Sequence, residues 1–257
     1  MSGGPVLLLD AGNSRLKWTC AAPRAVPRAE TCEYDAIDAL AAALPAGVTR
    51  ALGCNVAGPE VAARLAAALA PIDIEWLRPT AELAGVRNGY RNPAQLGADR
   101  WAALIGARAR CAGAAIVVMA GTAMTVDALT AQGAFLGGII VPGFRLMRES
   151  LLRGTADLGL PDGDVNAFPQ STGEAIVNGA LRALSGAIRE MADRLAGASG
   201  QLPTILLSGG DAARLQPELT WALAGSVVHV DNLVLEGLAQ LSALPGHPPT
   251  TGRNLSP

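Results

Sequence analysis

The sequence predicts an α/β protein made by duplication, each half a buried strand, a glycine turn, more strands and then helices. Three observations predict it. Residues 6–9 (VLLL) form a short apolar run that ends in Asp10-Ala11-Gly12-Asn13. Residues 115–119 (AIVVM) form a second run, ending in Ala120-Gly121-Thr122. Ala- and Leu-rich stretches then follow each set of strands. Fully apolar runs of this length read as strands covered on both faces. The expected division is 1–113, 114–246 and a flexible tail at 247–257, where three prolines interrupt any apolar period. A cleft between two such halves is a natural nucleotide site.

Taken in order, residues 6–9 give the first strand, and Gly12 and Asn13 permit the tight turn after it. Residues 15–20 read as the return strand of a hairpin. Residues 36–44 and 58–70 are Ala/Leu-rich and predict helices. Short strands are expected at 51–55 and 72–77, and a helix over 97–112 starting near Asp99. The second half repeats the opening: a strand at 115–119, the turn at Gly121, and a return strand. A third strand is expected over 135–141, closed by Pro142-Gly143, with a helix from 145. Residues 172–195 predict one long helix or two. A strand at 204–207 ends in Ser208-Gly209-Gly210-Asp211, a helix follows, and a final helix covers 231–241.

Composition bounds the function. Half of the 257 residues are hydrophobic and 16% are charged, so a large core is available. The net charge of −2 offers no basic excess for a nucleic-acid backbone. Any anionic ligand must be held locally, by backbone N–H groups, a few cations and a metal. Cys20, Cys32, Cys54 and Cys111 are scattered without a CxxC pair, and His229 and His247 are the only histidines. Reduced thiols are therefore expected, rather than disulfides or a histidine metal centre. The opening segment lacks a basic region before its apolar run, and no clean apolar stretch reaches the ~18 residues of a membrane span. The expectation is a cytoplasmic protein without membrane or nucleic-acid partners.

Four constellations carry chemistry. Asp10-Ala11-Gly12-Asn13-Ser14 with Lys17 supplies a turn whose amides can approach a phosphate, two side-chain donors, a cation, and one carboxylate for Mg²⁺. It also reads as an ordinary hairpin whose Asp satisfies turn amides. Gly121-Thr122-Ala123-Met124-Thr125, with Asp127, supplies a second such turn, or a hairpin with Thr chosen for its strand propensity. Gly209 and Gly210 leave room for a flat base or ribose, or make a plain strand-to-helix turn. Tyr90-Arg91-Asn92-Pro93 precedes Gly97-Ala98-Asp99-Arg100, where an acid and a guanidinium share one turn. The acid can accept a proton while the guanidinium grips a carboxylate; a helix cap is the alternative.

The order of these motifs, with Gly137-Gly138-x-Ile140-x-Pro142-Gly143 and Ser171-Thr172-Gly173-Glu174-Ala175-Ile176-x-x-Gly179, resembles type III pantothenate kinases and their Bvg accessory factor relatives from residue 6 to about 215. The resemblance implies a duplicated actin-like (ribonuclease H-like, ASKHA) fold, a homodimer, and transfer of the ATP γ-phosphate to the 4′-hydroxyl of pantothenate. It implies that Asp10 holds Mg-ATP, that Asn13, Ser14 and Lys17 contact phosphate, and that Asp99 is the general base. Arg100 would grip the pantothenate carboxylate, with Tyr90 and Gly97 lining the same pocket. Thr122 and Thr125 would face the phosphates, and Thr172 would reach the pantothenate site from the partner subunit. Residues 147–160 and the helix after Thr172 are candidates for the dimer surface, or for internal core.

Two positions depart from the family. Ser14 replaces the more usual Thr and keeps the hydroxyl. Met119 stands where relatives commonly place an acid that helps bind a monovalent cation, K⁺ or NH₄⁺. Met119 leaves open a second reading, a non-catalytic nucleotide-binding accessory protein. A third, another actin-like phosphotransferase, is opposed by the Gly97–Arg100 motif.

Overall fold

The computed structural model describes residues 4–21, 28–154, 161–219 and 227–244. The expected tail at 247–257 lies outside these residues. The chain forms two compact units. The first comprises Met1–Gly85, Asn92–Ala109 and Leu233–Pro257; the second comprises Val86–Arg91 and Arg110–Asn232.

In the first unit the strands are β1 (Val6–Ala11), β2 (Leu16–Ala21), β3 (Glu30–Cys32), β4 (Arg50–Asn55) and β5 (Asp73–Trp76), in the order β3-β2-β1-β4-β5. β1 pairs antiparallel with β2 and parallel with β4. The expected helix at 36–44 is a 3₁₀ segment, Tyr34–Ala39, followed by a single turn, α1 (Leu40–Ala43). α2 (Pro59–Ala68) begins on a proline, whose fixed φ suits the first turn. The short β6 (Glu82–Leu83) follows.

β1 is apolar except for Asp10 because it is covered on both sides. Leu7, Leu9 and Ala11 enter a core with Ile37, Leu40, Ala51, Leu65 and Leu69. Successive side chains of a strand point to opposite faces, so Leu8 and Asp10 belong to the other face. There α7 (Leu233–Ser242) packs on β1, β2 and β4, and α3 (Ala98–Arg110) packs on α7. A Cβ added to Gly237 would sit 1.8 Å from the Ala102 carbonyl oxygen, and one on Gly106 would sit 2.6 Å from that of Leu233. The two helices therefore meet backbone to backbone. α7 buries Leu233, Val234, Leu235, Leu238 and Leu241. The chain thus returns to its first unit, where a simple division at 113/114 would leave α7 with the second.

The second unit holds β7 (Val86–Asn88), β8 (Ala115–Ala120), β9 (Ala123–Leu129), β10 (Ala134–Pro142), β11 (Thr204–Ser208) and β12 (Val227–His229). Across it the order is β12-β11-β8-β9-β10-β7. β8 pairs antiparallel with β9 and parallel with β11. The five strands from β10 to β12 repeat the order and direction of the first sheet. α4 (Phe144–Gly154), α5 (Thr172–Ser199) and α6 (Ala212–Leu219) complete the unit.

α5 is one helix of 28 residues. Ser171 caps it, accepting from the Glu174 N–H at 3.3 Å, and the Glu174 carboxylate accepts from the Gln170 N–H at 2.7 Å. Val177, Leu181, Leu184, Ile188, Ala192 and Leu195 recur at three- and four-residue steps and form one buried stripe against Ile116, Val118, Met124 and Val126. Gly200, at φ +70°, ends the helix in the left-handed region.

Candidate active site

Asp10, Lys17 and Asp99 come together in the first unit. Asp10 and Lys17 are directly opposed on β1 and β2, and directly opposed residues share a face of a sheet. The Gly12–Arg15 turn hangs from the next pair, Ala11 and Leu16. Gly12 is half-buried, while Asn13 and Ser14 are exposed. Asp99 lies in the first turn of α3, the helix on the Asp10 face of the sheet. Its Oδ1 accepts from the Arg100 N–H at 2.8 Å. A Cβ on Gly97 would come within 2.6 Å of that oxygen, so glycine here makes room for the carboxylate.

The Asp10 carboxyl is 8% exposed, and its pKa is pushed up to about 6. Burial is the main cause; the Lys17 ammonium opposes it and the Asp99 charge adds to it. Two carboxylates and one ammonium therefore act on one another here. Strongly shifted groups beside a turn of exposed donors are what a functional site contains.

Two neighbours of this cluster were not singled out from the sequence. Cys54 of β4 lies in register with Asp10, and its thiol donates to Asp10 Oδ1 at 3.4 Å. Burial, then the Asp10 and Asp99 charges, hold that thiol well above its ordinary pKa. Tyr34 donates its hydroxyl to the Gly12 carbonyl. Its pKa rises to about 12, through burial first and then Asp10 and Cys54. Cys54 becomes visible only once strand register is known, and Tyr34 only through its tertiary hydrogen bond. Arg100, next to Asp99, is 4% exposed.

The second unit carries the other candidates. The Gly121 N–H donates to the Ala123 carbonyl at 3.1 Å, and the Gly143 N–H to the Thr122 carbonyl at 2.9 Å. A Cβ on Gly143 would lie 1.9 Å from the Gly121 carbonyl oxygen, so Pro142-Gly143 closes tightly on this turn. Thr122 is exposed, whereas Thr125 Oγ1 is buried without a hydrogen-bond partner. Gly209, at φ +106°, lies against the end of β8, where a Cβ would meet the Ala120 oxygen at 2.2 Å; Gly210 is exposed. Met119 pairs with Thr125 on one side and Ser208 on the other. It holds in β8 the place that Asp10 holds in β1, two residues before the turn glycine.

Tyr90 stacks on Phe135 of β10, with ring centroids 5.3 Å apart. Thr172, at the start of α5, is exposed beside an apolar cavity of about 440 Å³, whose wall includes Met147, Leu151, Ala175 and Ile176. Of the stretch 147–160 considered for a dimer surface, residues 155–160 lie outside the described residues. Among the described residues no group of three or more His, Cys, Asp or Glu could hold a metal ion on its own, and the four cysteines are free. No helix among them is long and apolar enough to cross a membrane.

The family model for type III pantothenate kinase matches residues 6–194. A type III pantothenate kinase of Chromobacterium violaceum is 48% identical over 240 residues, covering 92% of this chain and 98% of that protein. Among solved structures, a Baf family protein of Campylobacter jejuni superposes with a TM-score of 0.62 at 21% identity, over 91% of this chain and 96% of its own. A 2-dehydro-3-deoxygalactonokinase protein of Sinorhizobium meliloti gives a TM-score of 0.56 at 16% identity, over 93% and 97%. The fold of this chain is the two-domain α/β fold of the actin-like kinases.

Proposed function

The chain belongs to the type III pantothenate kinase family, and from this we propose that its first unit carries the chemistry, with Asp99 as base and Asp10 as holder of the metal-nucleotide. The protein is an ATP-dependent kinase that transfers the γ-phosphoryl group to the 4′-hydroxyl of pantothenate, opening coenzyme A synthesis. The observation that carries the assignment of roles is the meeting of Asp10, Lys17 and Asp99 beside the Gly12–Arg15 turn.

Phosphoryl transfer needs positioning and charge stabilisation more than covalent help. Amides and hydroxyls at Asn13 and Ser14 hold phosphate oxygens, and Lys17 adds a point charge. Asp99 accepts the proton of the attacking hydroxyl. Arg100 pairs with the pantothenate carboxylate, and because it is buried that pairing would be shielded from water. Tyr90 and Gly97 line the acceptor site. Thr122 and Thr125 contribute to phosphate binding, and Gly209 and Gly210 give the nucleoside a surface without side chains.

Asp10 fits Mg²⁺. That ion takes one or two carboxylates and completes its shell with phosphate oxygens and water. A buried carboxyl with raised proton affinity is returned to its ionised form by a divalent ion. When bound, Mg²⁺ neutralises charge on the β- and γ-phosphates. At Met119 the thioether is a soft, uncharged group, poorly suited to K⁺ or NH₄⁺.

Family membership also supports a cytoplasmic homodimer, in which the apolar cavity beside Thr172 forms part of the contact face. The direct test of the reading is to mix protein, Mg-ATP and pantothenate and measure phosphopantothenate and ADP. Pantothenate-dependent ADP supports it. ADP without that dependence points to another acceptor, and no ADP overturns the kinase assignment for this chain.

A further inference from the structure

We infer that Tyr34 is a positioning residue for the phosphate turn: its hydroxyl sets the orientation of the Gly12–Asn13 peptide. The inference rests on the reading of the Gly12–Arg15 turn as the phosphate-binding element.

The argument starts from the hydrogen bond that Tyr34 donates to the Gly12 carbonyl. A trans peptide is planar, and its C=O and N–H point in opposite directions. Whatever fixes the Gly12 carbonyl therefore fixes the Asn13 N–H, which is aimed away from Tyr34. Ala11 and Leu16 form the last ladder pair, and Asn13, Ser14 and Arg15 are exposed. A four-residue loop of this kind would otherwise sample several peptide orientations, each lowering the share of turns ready for phosphate.

Tyr34 is itself held. It opens the 3₁₀ segment Tyr34–Ala39, and its backbone carbonyl accepts from Arg64 Nη2 of α2 at 2.7 Å. The next turn is pinned by Ile37, which is fully buried in the core. The segment thus runs from the core, through one aromatic ring, to the turn carbonyl. Burial first, and then the nearby Asp10 carboxyl, opposes loss of the phenol proton. The hydroxyl therefore remains a donor at every pH at which the protein works, as the role requires.

The test is steady-state kinetics of Tyr34→Phe, which removes one oxygen and leaves the ring. The expected result is a rise of about fivefold in KM for ATP, the value of one ordinary hydrogen bond, with KM for pantothenate and Tm unchanged. Arg64→Gln, which loosens the anchor instead, should shift KM for ATP in the same direction by less. A KM for ATP within twofold of wild type in Tyr34→Phe overturns the inference. So does an equal rise in both KM values, or a rise that tracks a fall in Tm. Ser14→Ala separates the parent reading: if it too leaves KM for ATP unchanged, the turn does not bind phosphate. If Ser14→Ala raises that KM and Tyr34→Phe does not, only the positioning role fails.

Discussion

Asp10→Asn separates the stability of the site from its use. The Asp10 pKa rises from an ordinary 3.8 to about 6 because burial disfavours the anion more than Lys17 favours it. At 1.36 kcal/mol per pH unit, the ionised carboxylate costs the folded protein about 3 kcal/mol at pH 8. The folded state holds this proton more tightly than the unfolded chain does. Its contribution to folding is therefore complete below pH 3.8, fades as the pH rises towards 6, and is lost above. Asparagine buries no charge and keeps an oxygen for the Cys54 thiol. Without metal or nucleotide, Asp10→Asn should raise the unfolding free energy by about 1–3 kcal/mol at pH 8, the lower figure allowing for an amide N–H short of partners. At pH 4 the difference should be about 2 kcal/mol less favourable to the variant, so that the gain nearly vanishes or reverses. Urea unfolding at the two pH values measures both quantities. A gain equal at pH 4 and pH 8, or a variant less stable than wild type at pH 8, refutes the reasoning. Mg-ATP should then stabilise the wild type and not the variant, since only the carboxylate binds the ion.

Other outcomes follow from the same geometry. Asp99→Asn should lower turnover by about 10²–10⁴-fold, the usual worth of a general base, while KM for ATP stays near the wild-type value; near-full turnover removes Asp99 from that role. Rates in K⁺ or NH₄⁺ salts should match those in tetramethylammonium salt within about twofold, because Met119 brings no charge to its position; a clear stimulation by K⁺ shows that other groups supply the cation site. Gly237→Ala should destabilise by about 2 kcal/mol or more, since its Cβ meets the Ala102 backbone at 1.8 Å. Gly186→Ala, exposed in α5 with nothing within 4 Å, should instead stabilise by about 0.5–1 kcal/mol. Thermal or urea melts of the pair decide whether close backbone packing, rather than glycine content, governs these helices.

Much of this fold is legible in the chain because its central strands are buried on both faces. Residues 6–9 and 115–119 stand out as uninterrupted apolar runs, and the glycine after each marks the turn. The short strands do not stand out. β3 and β12 carry mostly exposed or half-exposed residues, and nothing in Glu-Thr-Cys or Val-Val-His separates them from loop. The 3₁₀ character of Tyr34–Ala39 is hidden in the same way, since Ala and Leu over 36–44 favour any helix. Asp10, Lys17 and Asp99 are readable as types of residue at suggestive places. Their meeting is not, because it depends on which face of β1 carries α7 and α3. Cys54 and Tyr34 lie further still from any local pattern, since register places the one and a tertiary hydrogen bond the other. The apolar character of α7 is plain; the sheet it covers is not.

The return of α7 to the first unit has a consequence for biosynthesis. The ribosome makes β1 well before α7, the helix that covers its Leu8 face. Until then that face of the nascent first sheet lacks the helix packed directly on its strands, while every described strand and helix of the second unit has already been made. Removing the chain from Leu233 onward should therefore spare the second unit and leave the carboxylate-bearing one unable to mature.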